Sequence, residues 1–564
     1  MLSRRAFLQA AGLSTLAAAL DPRLARAAEA AAQPLFESIP ASKSGITWTH
    51  TAGLSPEMYL PETVGAGCAF LDYDNDGWMD IYLVNSGPCD FYQPATPLRN
   101  ALYKNNRDGT FTDVTLKAKV PGSAYGMGVA VGDYDGDGFP DLFVTQYPNS
   151  ILYHNNGDGT FTDVTAKAGV PCPGWATSAV WFDYDNDGRL DLFVCRFADF
   201  SKAKNVVCGG SAPGARFYCK PNVFKPMTSW LFHNNGDGTF TDVSRESGIA
   251  ASPAKAWGVV AADINNDGLQ DLFVANDTVP NSLFINQGKG RFADNGLLAG
   301  VAYNPFGVAR SGMGVDAADP NQDGWLDLFV ANVDHEMYSL YRNNKDGTFD
   351  DEAIHTPIGS TTRLMSGWGL KFFDYDNDGN LDLILANGHP DLTIHQHHPE
   401  LHYDEPMLLF SRDTGEWRNL SAQCGPTFDQ PRAARGLALG DFNNDGAVDV
   451  LVSTNNGAPL LLKDNTAGKN HWLGVRLIGT KSNIDAVGAK LTWKSGDLLR
   501  HRTKVGGGSY LSAHDPRMVL GLGDNKSIDW LEIEWPKPGV PKQRFTNLPI
   551  DQYITLTEGH DRWK

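Results

Sequence analysis

The chain has 564 residues, 42% of them hydrophobic, and a formal charge of −19 from 66 acidic against 47 Lys and Arg side chains. With no basic stripe and no motif of that class, nucleic-acid binding is excluded. No stretch is long and apolar enough to span a bilayer.

Residues 1–27 read as an export signal. Ser3-Arg4-Arg5-Ala6-Phe7-Leu8 is a twin-arginine pattern, Ala10 to Leu20 is weakly apolar, and Ala25-Arg26-Ala27 offers a small-residue cleavage site. The expected location is therefore periplasmic or secreted through the twin-arginine pathway.

From residue 72 onward one nine-residue loop recurs seven times. Places one, three, five and nine hold Asp72, Asp74, Asp76 and Asp80 in the first copy and Asp133, Asp135, Asp137 and Asp141 in the second. They hold Asp183, Asp185, Asp187 and Asp191 in the third, then Asp263, Asn265, Asp267 and Asp271. The fifth copy has Asp319, Asn321, Asp323 and Asp327, the sixth Asp374, Asp376, Asp378 and Asp382, the seventh Asp441, Asn443, Asp445 and Asp449. Place six is glycine throughout, which permits a tight reversal. So many carboxylates in nine residues repel one another unless a cation sits among them, and an oxygen-only shell suits calcium. An EF-hand would need Glu at place twelve and flanking helices. Place twelve of the first copy is Leu83, and the flanks are β-branched or aromatic runs. The loops are thus strand–loop–strand sites for up to seven Ca²⁺, and those ions would cancel most of the acidic excess.

After each loop come a strand (Asp141-Leu142-Phe143-Val144), a variable connection, a second strand (Leu152-Tyr153-His154-Asn155), a Gly-Asp-Gly turn and Thr160 to Val164. Four-stranded units at this period predict an all-β, seven-bladed propeller over 34–465. Five residues before each loop stand Gly67, Gly128, Ser178, Gly258, Gly314, Gly369 and Gly436, small residues on strands converging at the axis. The seventh unit lacks its fourth strand, and Phe36-Glu37-Ser38-Ile39 echoes Phe161 to Val164, so the mature N-terminus is expected to close the ring.

There are seven cysteines. Cys208 and Cys219 bracket a Gly/Pro-rich insertion and are the expected disulfide. Cys68 and Cys195 lie in apolar runs and read as buried thiols.

The repeat resembles FG-GAP/VCBS repeats of integrin-α-type propellers. Past Lys469 the chain resembles the ASPIC/UnbV domain, on Asn470-His471-Trp472-Leu473, Ile484 to Ala489, Gly508-Ser509-Tyr510-Leu511-Ser512, Leu520 to Gly523 and Glu534-Trp535-Pro536. The pairing is similar to the CRTAC1-like group. The resemblance implies calcium binding and names no catalytic activity. Residues 470–559 alternate apolar and polar between turns, which predicts a small antiparallel β-domain for packing and recognition. Gly506-Gly507-Gly508 lacks a following Lys-Ser/Thr and reads as a turn before a strand.

The metal loops line one face, so the connections between second and third strands emerge on the other. These carry Asn276 and Asp277, Asp334, His335 and Glu336, Asn387 and His389, Asn455, and the long insertion Arg196 to Trp230. That face is the expected ligand face. A transition-metal site is conceivable around His395, His397, His398, Glu400 and His402, with His335 and Glu336 from the neighbouring blade, although no HExxH spacing supports it. Arg435 is a candidate for an anion near the axis or for a structural ion pair. Two functions follow: an exported calcium-binding protein recognising an extracytoplasmic glycan or protein, or a lyase, hydrolase or metal-dependent oxidoreductase acting from the histidine-bearing face. No nucleophile elbow or triad favours hydrolysis.

Overall fold

The computed structural model describes residues 33–210 and 216–564, so the expected signal at 1–27 lies outside the described residues. Seven four-stranded antiparallel sheets follow one another along the chain. The first comprises Cys68–Leu71, Asp80–Leu83, Ala101–Asn105 and Phe111–Asp113, paired in chain order from the axis outward. Successive innermost strands touch one another, and the last touches the first, so the ring is closed. The seventh sheet takes its fourth strand from the start of the chain: Phe36–Ser38 pairs with Leu460–Asp464 in the register Phe36↔Asp464. This covers the edge that Leu460–Asp464 would otherwise leave open.

The second strands read as continuous apolar runs because both faces of a blade are covered. Phe143 enters the core shared with the third blade, whereas Leu142 and Val144 enter the core shared with the first. Each such fully buried side chain contributes about 1.5–3 kcal/mol.

Residues beyond 470 form two further sheets. Met518–Gly523, His471–Ile478 and Tyr553–Thr557 make one, and Leu498–Thr503, Lys490–Ser495, Trp530–Glu534 and Gln543–Phe545 the other, around Leu473, Trp493, Leu531 and Ile533. One pairing corrects the antiparallel expectation: His471–Ile478 and Tyr553–Thr557 run parallel. The last strand reaches its sheet by crossing over from the other sheet, and so enters in the direction of the first.

A second correction concerns Gly506-Gly507-Gly508, which begins a segment that fills the axis of the ring. Gly506 and Gly507 pair with Ala261 and Val260 of the fourth blade. Ser509 exchanges backbone hydrogen bonds with Val315 of the fifth. Its hydroxyl accepts from Leu370 N of the sixth and donates to Leu437 O of the seventh. Leu511 N donates to Ser178 Oγ of the third, and Val129 N of the second donates to Leu511 O. Ala513 N donates to Cys68 O of the first. Every innermost strand is therefore bonded by one short segment. The small-residue register reflects that contact: a Cβ on Gly67 would lie 1.6 Å from Leu511 O, and one on Gly436 would lie 2.5 Å from Ser512 Oγ. At Gly258 and Gly314 the conflict is instead with the adjoining innermost strand.

Candidate functional site

All seven loops share one wiring. The place-one carboxylate accepts from the glycine N–H at place six, as Asp72 Oδ2 does from Gly77 N at 2.9 Å. The place-nine carboxylate is shared differently. Asp80 Oδ1 accepts from Asn105 N at 2.7 Å, and Asp80 Oδ2 from Tyr73 N at 3.1 Å. Place nine thus ties the loop to the third strand. Place five accepts from the place-seven N–H in every loop, as Asp76 Oδ1 does from Trp78 N at 3.1 Å, and place three accepts from the place-five N–H in five of the seven.

The carboxylates converge. Asp72, Asp74 and Asp80, like Asp133, Asp135 and Asp137, each offer one oxygen within 4.8 Å of the others. Burial pushes the Asp80 and Asp271 carboxyls up to about 8. Burial, with the neighbouring carboxylates adding to it, pushes Asp133 and Asp183 up to about 7. Asp74 Oδ1 and Asp374 Oδ1 are buried without a hydrogen-bond partner. Crowded, desolvated, partnerless oxygens fit a divalent cation.

The side chain that sequence reasoning missed is the asparagine ending the third strands. Asn155 Nδ2 donates to Pro140 O in its own loop and to Tyr73 O in the loop of the preceding blade. Asn105, Asn234, Asn286 and Asn343 reach Phe442 O, Tyr134 O, Tyr184 O and Ile264 O in the same way. In the sixth blade Arg412 Nη1 reaches Pro320 O, and in the seventh Thr466 Oγ1 reaches Tyr375 O. The place-two carbonyl of every loop is thereby bound by the next blade. The recurring Asn at that register was the available signal.

The C-terminal domain lies on the face of the acidic loops and contacts all seven of them. Arg476 reaches Asn75, Asp485 accepts from Asp133 N, and Lys537 Nζ donates to Asp187 O. Lys490 Nζ pairs with Asp263 at 2.8 Å, and His501 N donates to Gln322. Arg500 binds Gly379 O, and Tyr553 OH donates to Asp441 Oδ2.

On the opposite face the expected residues separate into two sets. Asp334 is central to the first. Its Oδ1 lies 3.0 Å from His389 Nε2 and its Oδ2 2.7 Å from His335 Nδ1. Burial opposes the ionised form, yet these histidine bonds hold the carboxyl down to about 2. His389 Nδ1 accepts from Asp391 N, so neither ring nitrogen of His389 is left for a metal. Glu336 accepts from Ser311 N at 2.6 Å. His397 packs against Phe217.

The second set is buried. Asn276 donates to Pro280 O and Asn387 to Pro406 O, so these amides close their own connections, whereas Asn455 donates to Glu62 O in the segment before the first blade. Asp277 is buried beside Trp257 Nε1. Arg435 departs from both expectations, binding neither an open anion site nor an acid. It is fully buried, donates to Thr63 O, Gly388 O, Ala434 O and His389 O, and stacks 4.2 Å from the Trp368 ring centroid. Carbonyl dipoles and an aromatic face replace the expected carboxylate.

What stays open on this face mixes apolar groups with the exposed His395, His397, His398, Glu400 and Asp404. Val207 and Phe217 are 58% and 38% exposed on the insertion, where Cys208 and Cys219 are disulfide-bonded as expected. A cleft nearby is lined by Leu364, Leu392, His395, His402, Tyr403 and Pro431. Among the described residues, no helix is long and apolar enough to cross a membrane.

Comparison with known proteins agrees with this architecture. The FG-GAP-like repeat profile matches residues 72–144, 133–194, 223–274, 263–330 and 319–385. The ASPIC and UnbV profile matches 479–562. Cartilage acidic protein 1 of Mus musculus is 27% identical over 334 residues, covering 57% of this chain and 48% of that protein. Integrin alpha-6 of Gallus gallus is 31% identical over 160 residues, covering 26% and 14%. A solved Bacillus licheniformis rhamnogalacturonan lyase overlays with a TM-score of 0.37 at 13% identity, covering 77% of this chain and 76% of that one. The chain spans about half the length or less of the curated relatives it matches.

Proposed function

The chain belongs to the FG-GAP-like repeat family, with an ASPIC/UnbV domain after the repeats, and from that footing we propose an exported, calcium-stabilised recognition protein. It engages an extracytoplasmic protein or glycan through the face opposite its metal loops. One observation carries the reading: the C-terminal domain contacts every metal loop and fills the axis, so the opposite face is the one left for a partner. Exposed Val207 and Phe217 on a disulfide-clipped hairpin, beside the Leu364–Tyr403 cleft, supply the apolar anchors that recognition surfaces use. Similarity to integrin alpha and cartilage acidic protein 1 supports the same class of activity.

The test is a labelled full-length protein presented to a glycan array and to a panel of immobilised extracellular proteins. Hits should vanish with the double substitution Val207→Ser, Phe217→Ser and persist with Arg544→Ala on the C-terminal domain. Hits that survive the double substitution and disappear with Arg544→Ala would move the binding face to the other side.

A further inference from the structure

The seven loops are not equivalent, because the third strand presents a different side chain to each. At the residue just before the last of each third strand, or before Arg412 in the sixth blade, stand Lys104, His154, His233, Ile285, Arg342, Ser411 and Lys463 in blade order. In the first and seventh blades the lysine pairs with a loop carboxylate, Lys104 with Asp74 and Lys463 with Asp445. In the second and third blades an imidazole takes that place. His154 Nδ1 lies 3.2 Å from Asp135 Oδ2 and 3.4 Å from Asp141 Oδ1. His233 Nδ1 lies 3.4 Å from Asp185 Oδ2 and 3.3 Å from Asp191 Oδ1.

Both Nδ1 atoms are buried and face these loop carboxylates, with no hydrogen bond of good geometry to any other group. Each ring is held edge-to-face by the place-two tyrosine of its own loop, Tyr134 at 6.2 Å and Tyr184 at 6.0 Å between centroids. The nitrogen is thus aimed among the carboxylates by packing. Asp135, Asp141 and His154 each offer a ligand atom within 4.8 Å of the others, as do Asp185, Asp187 and His233. Ligands about 2.1 Å from a first-row ion stand up to ~4.2 Å apart, so a small contraction completes either set.

We propose that the second and third loops are mixed nitrogen–oxygen sites selective for a first-row divalent ion of the Mn²⁺ or Zn²⁺ type. His154 Nδ1 and His233 Nδ1 supply the nitrogen ligand, and the remaining loops keep oxygen-only shells for calcium. Calcium takes oxygen donors, whereas imidazole is a good ligand for transition ions, so one nitrogen per site shifts the preference without changing the loop. The bond is dative: Nδ1 gives its lone pair, and the ring proton resides on Nε2. The inference rests on the loops being cation sites, as proposed above.

The experiment uses the full mature chain, stripped with chelator and equilibrated with excess Ca²⁺ plus Mn²⁺ or Zn²⁺. Elemental analysis should find two retained transition ions per chain beside calcium. Pulsed electron paramagnetic resonance of the Mn²⁺ form should show nitrogen modulation from imidazole. His154→Gln with His233→Gln should lose both retained ions and the modulation while keeping calcium. Should that variant fold poorly, Ile285→His gives an independent reading, since it should raise the retained count by one. Calcium binding without retained transition ions, or retention without nitrogen modulation, would overturn this inference alone. Failure to bind any cation would overturn the broader calcium reading with it.

Discussion

Asn155 Nδ2 lies 2.8 Å from the carbonyl oxygen of Tyr73, which belongs to the acidic loop of the preceding blade. The same amide holds Pro140 O, and the Asn155 backbone N–H holds Asp141 Oδ1. One buried side chain therefore ties a third strand, its own loop and its neighbour's loop together.

Asn155→Ala should destabilise the protein by about 1–3 kcal/mol, because two buried carbonyls lose their donor. Asn156→Ala removes only two exposed bonds, to Thr160 and from Thr162, and should stay within about 0.5 kcal/mol of wild type. Urea unfolding of the two variants in calcium compares them directly. Equal midpoints would mean that the loops need no inter-blade tie.

The axial segment should be as consequential. Tyr510 is fully buried, its ring 4.9 Å from Trp368 and 5.7 Å from Trp257 between centroids, and its hydroxyl donates to Val64 O. Tyr510→Ala should cost about 3–5 kcal/mol and expose the C-terminal domain to protease. Gly67→Ala attacks the same contact from the ring side, through the Leu511 carbonyl. Unchanged melting and protease resistance in both variants would show that the ring closes without the segment.

The repeat, the register of small residues and the N-terminal closure were legible because each is a local pattern copied many times. Gly67 and its counterparts signalled crowding at the axis, but not that residues 506–515 supply much of it. That segment bonds every blade, with partners from 72 residues away at Leu437 to 444 at Cys68, and leaves no period in the sequence. The ligand face misled for a related reason. Asn276 and Asn387 look like exposed loop polarity, yet a connection that turns back into a sheet must satisfy its own carbonyls, and Asn455 satisfies one in the N-terminal segment. Arg435 invited a search for an acid, whereas four carbonyls and an indole face suffice. His154 and His233 were in plain view within the third-strand pattern. Only the fold brings them beside carboxylates of the loops.

His50 supplies a pH prediction independent of the metal loops. Its Nδ1 accepts from Asn456 N and its Nε2 bonds Ser86 Oγ, so the buried ring is neutral. Burial, with the Arg435 charge adding to it, lowers its pKa to about 3. Between that value and the ordinary 6.5 the unfolded chain binds the proton and the native state does not, so this stability is present above 6.5 and is lost as pH falls. From pH 7 to pH 5 the loss is about 2 kcal/mol. The stability gap between wild type and His50→Gln should shrink by that amount over the same interval in urea titrations. A gap constant with pH would place a charged imidazole in the native state.

Calcium should act unequally on the two kinds of loop carboxylate. A cation bound to native loops and not to the unfolded chain adds about 2.7 kcal/mol per site at a hundredfold excess over its Kd, so excess chelator should lower the melting temperature substantially. Asp74 accepts no bond from its loop backbone and contacts only Lys104, whereas Asp80 also anchors Tyr73 N and Asn105 N. Asp74→Asn should therefore narrow the gap between calcium and chelator melting curves while leaving the chelator curve near wild type. Asp80→Asn should depress both curves, because the strand tie fails whether or not an ion is present. If Asp74→Asn lowers both curves equally, place three is structural and the loop wiring described above is incomplete. If chelator moves no curve at all, the carboxylates are neutralised by Lys104, Lys463 and Lys490 rather than by metal.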